Sequence, residues 1–273
     1  MNVQDIHRLV DEAYASLKGQ PLRDRMEELA EEVRRECGDN STAYGVMLNE
    51  LGGFYRGQYL FAESEETLQK ALALMEERYG AGDPNVATVI NNLAGTFRMS
   101  GRYEEAEKAF FRCLDIYASS VGKSNILYAA GLNNLALLYL AQKQTEKAET
   151  YLKAASDILA QQPEHLFEYA ASLSNLADLY MQQKNYDAAE KSLKEAVRIH
   201  ETKIGKGGGH YYSALNKLGL VSYYQGRLSQ AETYLKQALA ACETVYGTEH
   251  KEYHMIQDHL TAVRKAVSSK DAV

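Results

Sequence analysis

LNNLALLYLAQKQTEKAETYL, running from Leu132 to Leu152, is a sentence this chain writes five times. The other copies begin at Leu48, Ile90, Leu173 and Leu215, so successive starts lie 42, 42, 41 and 42 residues apart, with no gap inside any copy. A fixed period in this range marks a solenoid, because each unit is too small to bury its apolar face alone and must stack on its neighbours. Such a chain presents an extended surface and seldom encloses a catalytic pocket.

The copies align in columns. Leu51, Leu93, Leu135, Leu176 and Leu218 are each followed by a small residue, Gly52, Ala94, Ala136, Ala177 and Gly219. Four residues past the leucine stands a ring, Tyr55, Phe97, Tyr139 and Tyr180, with Ser222 in the fifth copy. Counted from the starting Leu or Ile, these columns fall at i, i+3, i+4 and i+7, one face of an α-helix. A polar break follows (Ser100-Gly101, Gln142-Lys143, Gln183-Lys184, Gln225-Gly226), and then a second helical pattern. Its small column is Ser64, Ala106, Ala148, Ala189 and Ala231, and its large column Leu68, Phe110, Leu152, Leu193 and Leu235. Small residues at fixed places let two helices approach while large ones fill the space between them. Gly80, Gly122, Gly205 and Gly247 end the second helix, and Pro163 does so in the third copy.

From Ala43 to about His250 these columns resemble the tetratricopeptide repeat: apolar, Leu-Gly/Ala, aromatic, then Ala, Leu or aromatic, Ala. The common repeat has about 34 residues. The longer period here, the Asn-Asn-Leu-Ala core and tails such as Tyr79-Gly80-Ala81-Gly82-Asp83-Pro84 look like the kinesin-light-chain type. The resemblance implies an all-α fold, a right-handed superhelical solenoid of antiparallel helix pairs. Its repeats would span about 43–84, 85–126, 127–167, 168–209 and 210–250. Residues 1–42, with apolar stripes on either side of Lys18-Gly19-Gln20-Pro21, read as a capping hairpin, and 251–273 as a capping helix with a tail frayed after Ser268.

Two columns of the first helix are not needed for a core: Asn49, Asn91, Asn133, Ser174, Asn216, and beside it Glu50, Asn92, Asn134, Asn175, Lys217. Asparagine costs a helix interior about 0.6 kcal/mol relative to alanine, so its recurrence calls for a reason. An amide can hold the backbone of an extended peptide without reading its side chains, and in the family resembled the first helices line the concave groove where peptides bind. The amides can equally bond to neighbouring first helices and set the angle between repeats; the two uses are not exclusive. On the same face lie Arg56 and Arg98, then Leu137, Leu140, Asp178 and Met181, then Tyr223 and Tyr224. That grading, from basic to apolar to aromatic, suits a peptide with an acidic stretch and a hydrophobic one. The candidate peptide-binding residues are therefore Asn49, Arg56, Asn91, Asn92, Arg98, Asn133, Asn134, Asn175, Asp178, Asn216, Tyr223 and Tyr224.

A net charge of −7 argues against nucleic-acid and acidic-membrane partners, and no run of 18 apolar residues would span a bilayer. The start MNVQDIHRLVDEAYASL lacks a secretory layout, and Cys37, Cys113 and Cys242 make no disulfide framework, so a cytoplasmic setting is expected. The Ile204–His210 loop lacks the order of a phosphate loop, and His250, His254 and Asp258 offer only three metal ligands on a terminal helix. No nucleophile motif, carboxylate pair or cofactor fingerprint appears. The expectation is a non-enzymatic scaffold or adaptor that needs no cofactor and binds an extended segment of another protein. The rivals are a peptide-sensing signalling receptor and a self-associating subunit of a larger complex. The C-terminal stripe Tyr253, Ile256, Leu260, Val263, Val267 leaves room for a homodimer through that end.

Overall fold

The structure, a computed structural model, describes residues 1–271, with side chains described to Ser268. These residues form thirteen α-helices and one five-residue π-helical turn, His200–Ile204, with no strand among them. The chain divides into two compact units, Met1–Gln144 and Thr145–Val273.

The first unit holds α1 (Val3–Ser16), α2 (Gly19–Cys37), α3 (Thr42–Gly57), α4 (Phe61–Tyr79), α5 (Pro84–Met99), α6 (Tyr103–Ser120) and α7 (Ile126–Ala141). Its first helices start where the sequence supplies an acceptor. Ser41, Asp83 and Asn125 accept from the backbone N–H of Tyr44, Asn85 and Leu127, satisfying donors a helix start leaves open and contributing about 1 kcal/mol each. The capping hairpin packs its stripes, Ile6, Val10, Leu22, Met26, Leu29 and Val33, into one cluster with Met47, Leu51 and Phe54 of α3.

The second unit holds α8 (Thr145–Leu159), α9 (Leu166–Gln182), α10 (Tyr186–Ile199), α11 (Gly209–Tyr224), α12 (Leu228–Tyr246) and α13 (Lys251–Asp271). Ile256, Leu260 and Val263 of α13 are buried with Leu215, Leu218, Val221, Leu235 and Cys242 in one core. Of the stripe read from the sequence, Ile256, Leu260 and Val263 are thus covered by the chain's own helices, and Tyr253 packs against them partly buried. Of the tail expected to fray, residues 272–273 lie outside the described residues.

Both units pack by the same rule. The second-helix small column, Ser64, Ala106, Ala148, Ala189 and Ala231, is wholly buried, as is the large column four residues on. Each such large side chain contributes about 1.5–3 kcal/mol on leaving water. In the outer repeats the helices approach so closely that a Cβ on Gly52 would stand 2.5 Å from Leu68 Cγ, and one on Gly219 2.6 Å from Leu235 Cγ.

The turn from first to second helix is identical in every repeat. Leu60, Arg102, Gln144, Asn185 and Arg227 donate their N–H to the carbonyls of Tyr55, Phe97, Tyr139, Tyr180 and Ser222 at 2.8–2.9 Å. This six-to-one closure requires the residue before the donor to be left-handed. That residue is Tyr59, Gly101, Lys143, Lys184 or Gly226, with φ between 57° and 82°.

Candidate functional site: the first-helix faces

In the first unit the asparagine columns of α3, α5 and α7 meet. Asn92 Nδ2 donates to Asn49 Oδ1 at 2.8 Å, and Asn134 Nδ2 donates to Asn91 Oδ1 at 3.1 Å, each pair 43 residues apart. The second amide of one repeat thus binds the first amide of the preceding repeat. Asn49 is only 8% exposed, so its bond is made out of water, where leaving it unmade would cost about 1–3 kcal/mol. Helix-to-helix bonding is therefore one use of the ladder, and a ligand would meet what those bonds leave over. Asn133 is half-buried at the equivalent place on α7.

Arg56 leaves α3 and lies across α5. Its Nη1 donates to the backbone carbonyl of Asn92 at 3.0 Å and to Asn92 Oδ1 at 3.2 Å. It can lie there because position 95 is glycine: a Cβ would stand 2.7 Å from Nη1. Arg98 follows on α5. Burial lowers the pKa of both guanidiniums, and the charge of Arg98 lowers that of Arg56 further. The surrounding acids are sparse. Glu50 on α3 is half-buried and its pKa is raised by burial, with His7 Nδ1 3.9 Å from its Oε1.

The second unit's face is assembled from other chemistry. Lys217, in the column of Asn92 and Asn134, donates from Nζ to Asp178 Oδ2 at 2.7 Å, an ion pair with a residue from the column of Gly53 and Gly95. Asn216, 6% exposed, shares a 2.9 Å hydrogen bond with His259 Nδ1 of α13, again across 43 residues. Asn175 is half-buried on α9, and Ser174 turns its hydroxyl back to the carbonyl of Ala170. Tyr223 and Tyr224 remain 36% and 55% exposed. Tyr224 stacks on Tyr186 at 5.3 Å between centroids and meets Tyr223 edge-on at 5.7 Å. This makes a small aromatic platform at the end of α11.

Residues matching the tetratricopeptide repeat family profile cover 42–119, 98–161, 127–202 and 168–244, most of the chain. The chain belongs to the tetratricopeptide repeat family. Proteins built of these repeats generally mediate protein–protein interaction. Solved structures similar to it include BtubC (BKLC) from P. vanneervenii, 21% identical, over 90% of this chain and 94% of that one, with a TM-score of 0.64. A putative kinesin light chain from Podospora anserina, with nearly identical TPR-like repeats, is 20% identical over 73% of this chain and 95% of that one, with a TM-score of 0.57. The apo quorum sensor NprR from B. thuringiensis is 14% identical over 96% of this chain and 67% of that one, with a TM-score of 0.64. At these identities the likeness is one of fold. No curated protein sequence matches the chain.

Three features of the tetratricopeptide faces were not read from the sequence, although each left a signal. The caps Ser41, Asp83 and Asn125 recur at the repeat period. Gly95 shares its column with Gly53, Leu137, Asp178 and Leu220, and only at Gly95 does an arginine of the preceding repeat need the space. His259 lies outside the five copies, but its separation from Asn216 matches that of the two asparagine pairs. By that register α13 stands in the place of a sixth first helix. No described helix is long and apolar enough to cross a membrane.

Proposed function

We propose that the protein is a non-enzymatic scaffold whose first-helix faces hold an extended segment of another protein. The observation that carries this reading is the exposed pair Tyr223 and Tyr224 on α11. On the first helices the repeated leucine columns turn inward, while Tyr223 and Tyr224 stay in contact with water side by side; Phe167, near the start of α9, is a separate exposed ring. Aromatic side chains of this kind bury much area on binding and lose little rotamer freedom, which is why they anchor interfaces. In the first unit the same face offers Arg56 and Arg98 for acidic groups, with the donors and acceptors that the ladder bonds leave on Asn49, Asn91, Asn92, Asn133 and Asn134. In the second, Asn175, Asp178 and Asn216 accompany the rings.

The test is capture of partners by the full chain from its source lysate, followed by mapping the bound segment with overlapping peptides. A double Tyr223→Ala, Tyr224→Ala variant is compared with Phe111→Ala, which removes an exposed ring (41%) from a second helix. Both should fold, since the altered rings are exposed. Loss of a partner with the tyrosine variant alone supports the reading. Loss with Phe111→Ala alone moves the working surface to the second helices and ends it. Self-association through α13 has less support, because its apolar stripe already packs against α11 and α12.

A further inference from the structure

The two arginines of the first unit make a seat with an unmet charge. Arg56 carries five N–H donors, and the two on Nη1 are committed to Asn92. The edge formed by Nε and Nη2 is left over, the edge that grips an oxyanion in two parallel bonds. The Arg98 side chain makes no hydrogen bond or ion pair with the described residues, and Arg56 makes no ion pair with them. Yet both are half-buried and lose water, and Arg56 also feels the positive charge of Arg98. A partly desolvated pair of like charges is costly, and here Glu50 offsets only part of the charge on Arg56 without forming an ion pair with it. The fold nevertheless holds the pair in place: Gly95 gives up its side chain so that Nη1 can lie on α5, and the Asn92 carbonyl fixes it. This is pre-organised, in a chain whose overall charge of −7 would favour an acid at each arginine.

We infer that Arg56 and Arg98 together seat one phosphoryl group, carried on a side chain of the bound segment. A carboxylate balances one guanidinium and offers two oxygens. A phosphorylated side chain carries about −1.5 to −2 charges at neutral pH and three acceptor oxygens, matching two forks at once. The half-buried Glu50 nearby repels any anion, so a ligand outweighs it only by engaging both arginines. That the carrier is a protein segment rests on the function proposed above; the seat itself rests on the geometry of α3 and α5 alone.

The test titrates the full chain with N-acetyl-O-phosphoserine amide, N-acetylaspartate amide and inorganic phosphate at pH 7.5 and constant ionic strength, following the Gly95 amide and arginine Nε signals by NMR. The phosphoserine probe should saturate and bind about tenfold more tightly than the aspartate probe, a gap the size of one charge-assisted contact. Arg98→Gln should weaken it about tenfold by the same reasoning without changing the fold, because the Arg98 side chain bonds to nothing described and its backbone bonds are kept. Gly95→Ala should weaken it by displacing Arg56, while Tyr224→Ala should not. Equal affinity for the two amino-acid probes, no saturation, or wild-type binding by Arg98→Gln would overturn the inference. Inorganic phosphate binding as tightly as the phosphoserine probe would overturn the protein carrier and keep only the seat. Seat binding without any face-dependent partner would sink the segment-binding reading alone; partner capture that needs the tyrosines, without seat binding, would sink the seat alone.

Discussion

In Met1–Gln144, α3, α5 and α7 each begin on a side chain that accepts a backbone N–H, whereas in Thr145–Val273, α9 and α11 begin at His165 and Gly208, which accept none. The same contrast runs through the interior. In the first unit Ser64, buried in the small column, bonds to the Gly52 carbonyl and to Thr96, both at 2.8 Å. In the second, His200 Nδ1 and Ser222 Oγ are buried without a hydrogen-bond partner. The apolar columns, by contrast, are equally closed in both. Helix pairing is thus set by volume and period, which every copy repeats, while polar satisfaction is settled residue by residue and can lapse in one copy without opening the fold.

The largest expected effect tests the half of the comparison in which the units agree. Phe110→Ala in α6 and Leu193→Ala in α10 remove fully buried members of the same column. They should cost about 3–5 and 2–5 kcal/mol respectively in urea unfolding. A cost under about 1 kcal/mol at Leu193 would mean that the second unit's core is loose as well as its polar groups, since such small losses belong to sites that collapse or are already mobile. Next comes the amide ladder. Asn92→Ala strips the donor from buried Asn49 and one acceptor from Arg56, with an expected loss of about 1–3 kcal/mol. Ser222→Ala should cost nothing or stabilise by up to about 1 kcal/mol, because the hydroxyl it removes is already unpaired. If the two substitutions cost the same, the contrast in polar satisfaction is not energetic.

Much of this was legible in the sequence because period and size are local, repeated signals. The Leu and Ala columns announced which faces meet, and Gly80, Gly122, Gly205 and Gly247 all adopt positive φ at the ends of second helices. Bond partners were harder to read. That Asn49 is held by Asn92 depends on the stagger of α3 against α5, which the spacing of columns within one helix does not fix. Arg56 could be placed on the groove face, but that it leans over Gly95 depends on how closely α3 and α5 approach. The stacking of Tyr224 on Tyr186 is of the same kind, since Tyr186 begins α10 and belongs to no repeated column noted in the sequence.

Acid should separate the units further. Burial holds His200, His210 and His259, all in the second unit, below the ordinary imidazole value of 6.5, with His210 also depressing His200 and Lys217 depressing His210. Each therefore stays neutral in the fold when the unfolded chain begins to take up protons. The stability they permit is complete above about pH 6.5 and declines as pH falls below it, because the unfolded state then binds more protons. Of the three, His200 is the most informative: it is 2% exposed, its ring faces Phe167 and Tyr211 edgewise or tilted, and Nδ1 lacks a partner. His200→Leu should leave the urea midpoint at pH 7.5 unchanged or higher and make the fall between pH 7.5 and 5.5 shallower. An unchanged fall would assign the acid sensitivity to His210 and His259 instead.

The smallest effect bears on the feature the units share most closely. The left-handed turn residue is glycine in two repeats and lysine in two others, Lys143 with φ 60° and Lys184 with φ 57°. A side chain in that region costs about 1–2 kcal/mol, against about 0.5–1 kcal/mol for the freedom glycine adds to the unfolded chain. Lys143→Gly and Lys184→Gly should therefore each stabilise by about 0.5–1 kcal/mol, one from each unit. Tyr59→Gly should gain less, because the Tyr59 ring packs edge-on against Phe61 at 6.1 Å and that contact would be lost. A gain at Lys143 without one at Lys184 would show that the turn strain is relieved by local looseness in the second unit. The asymmetry seen at caps and buried polar atoms would then reach the backbone, where identical hydrogen bonds in all five repeats imply that it stops.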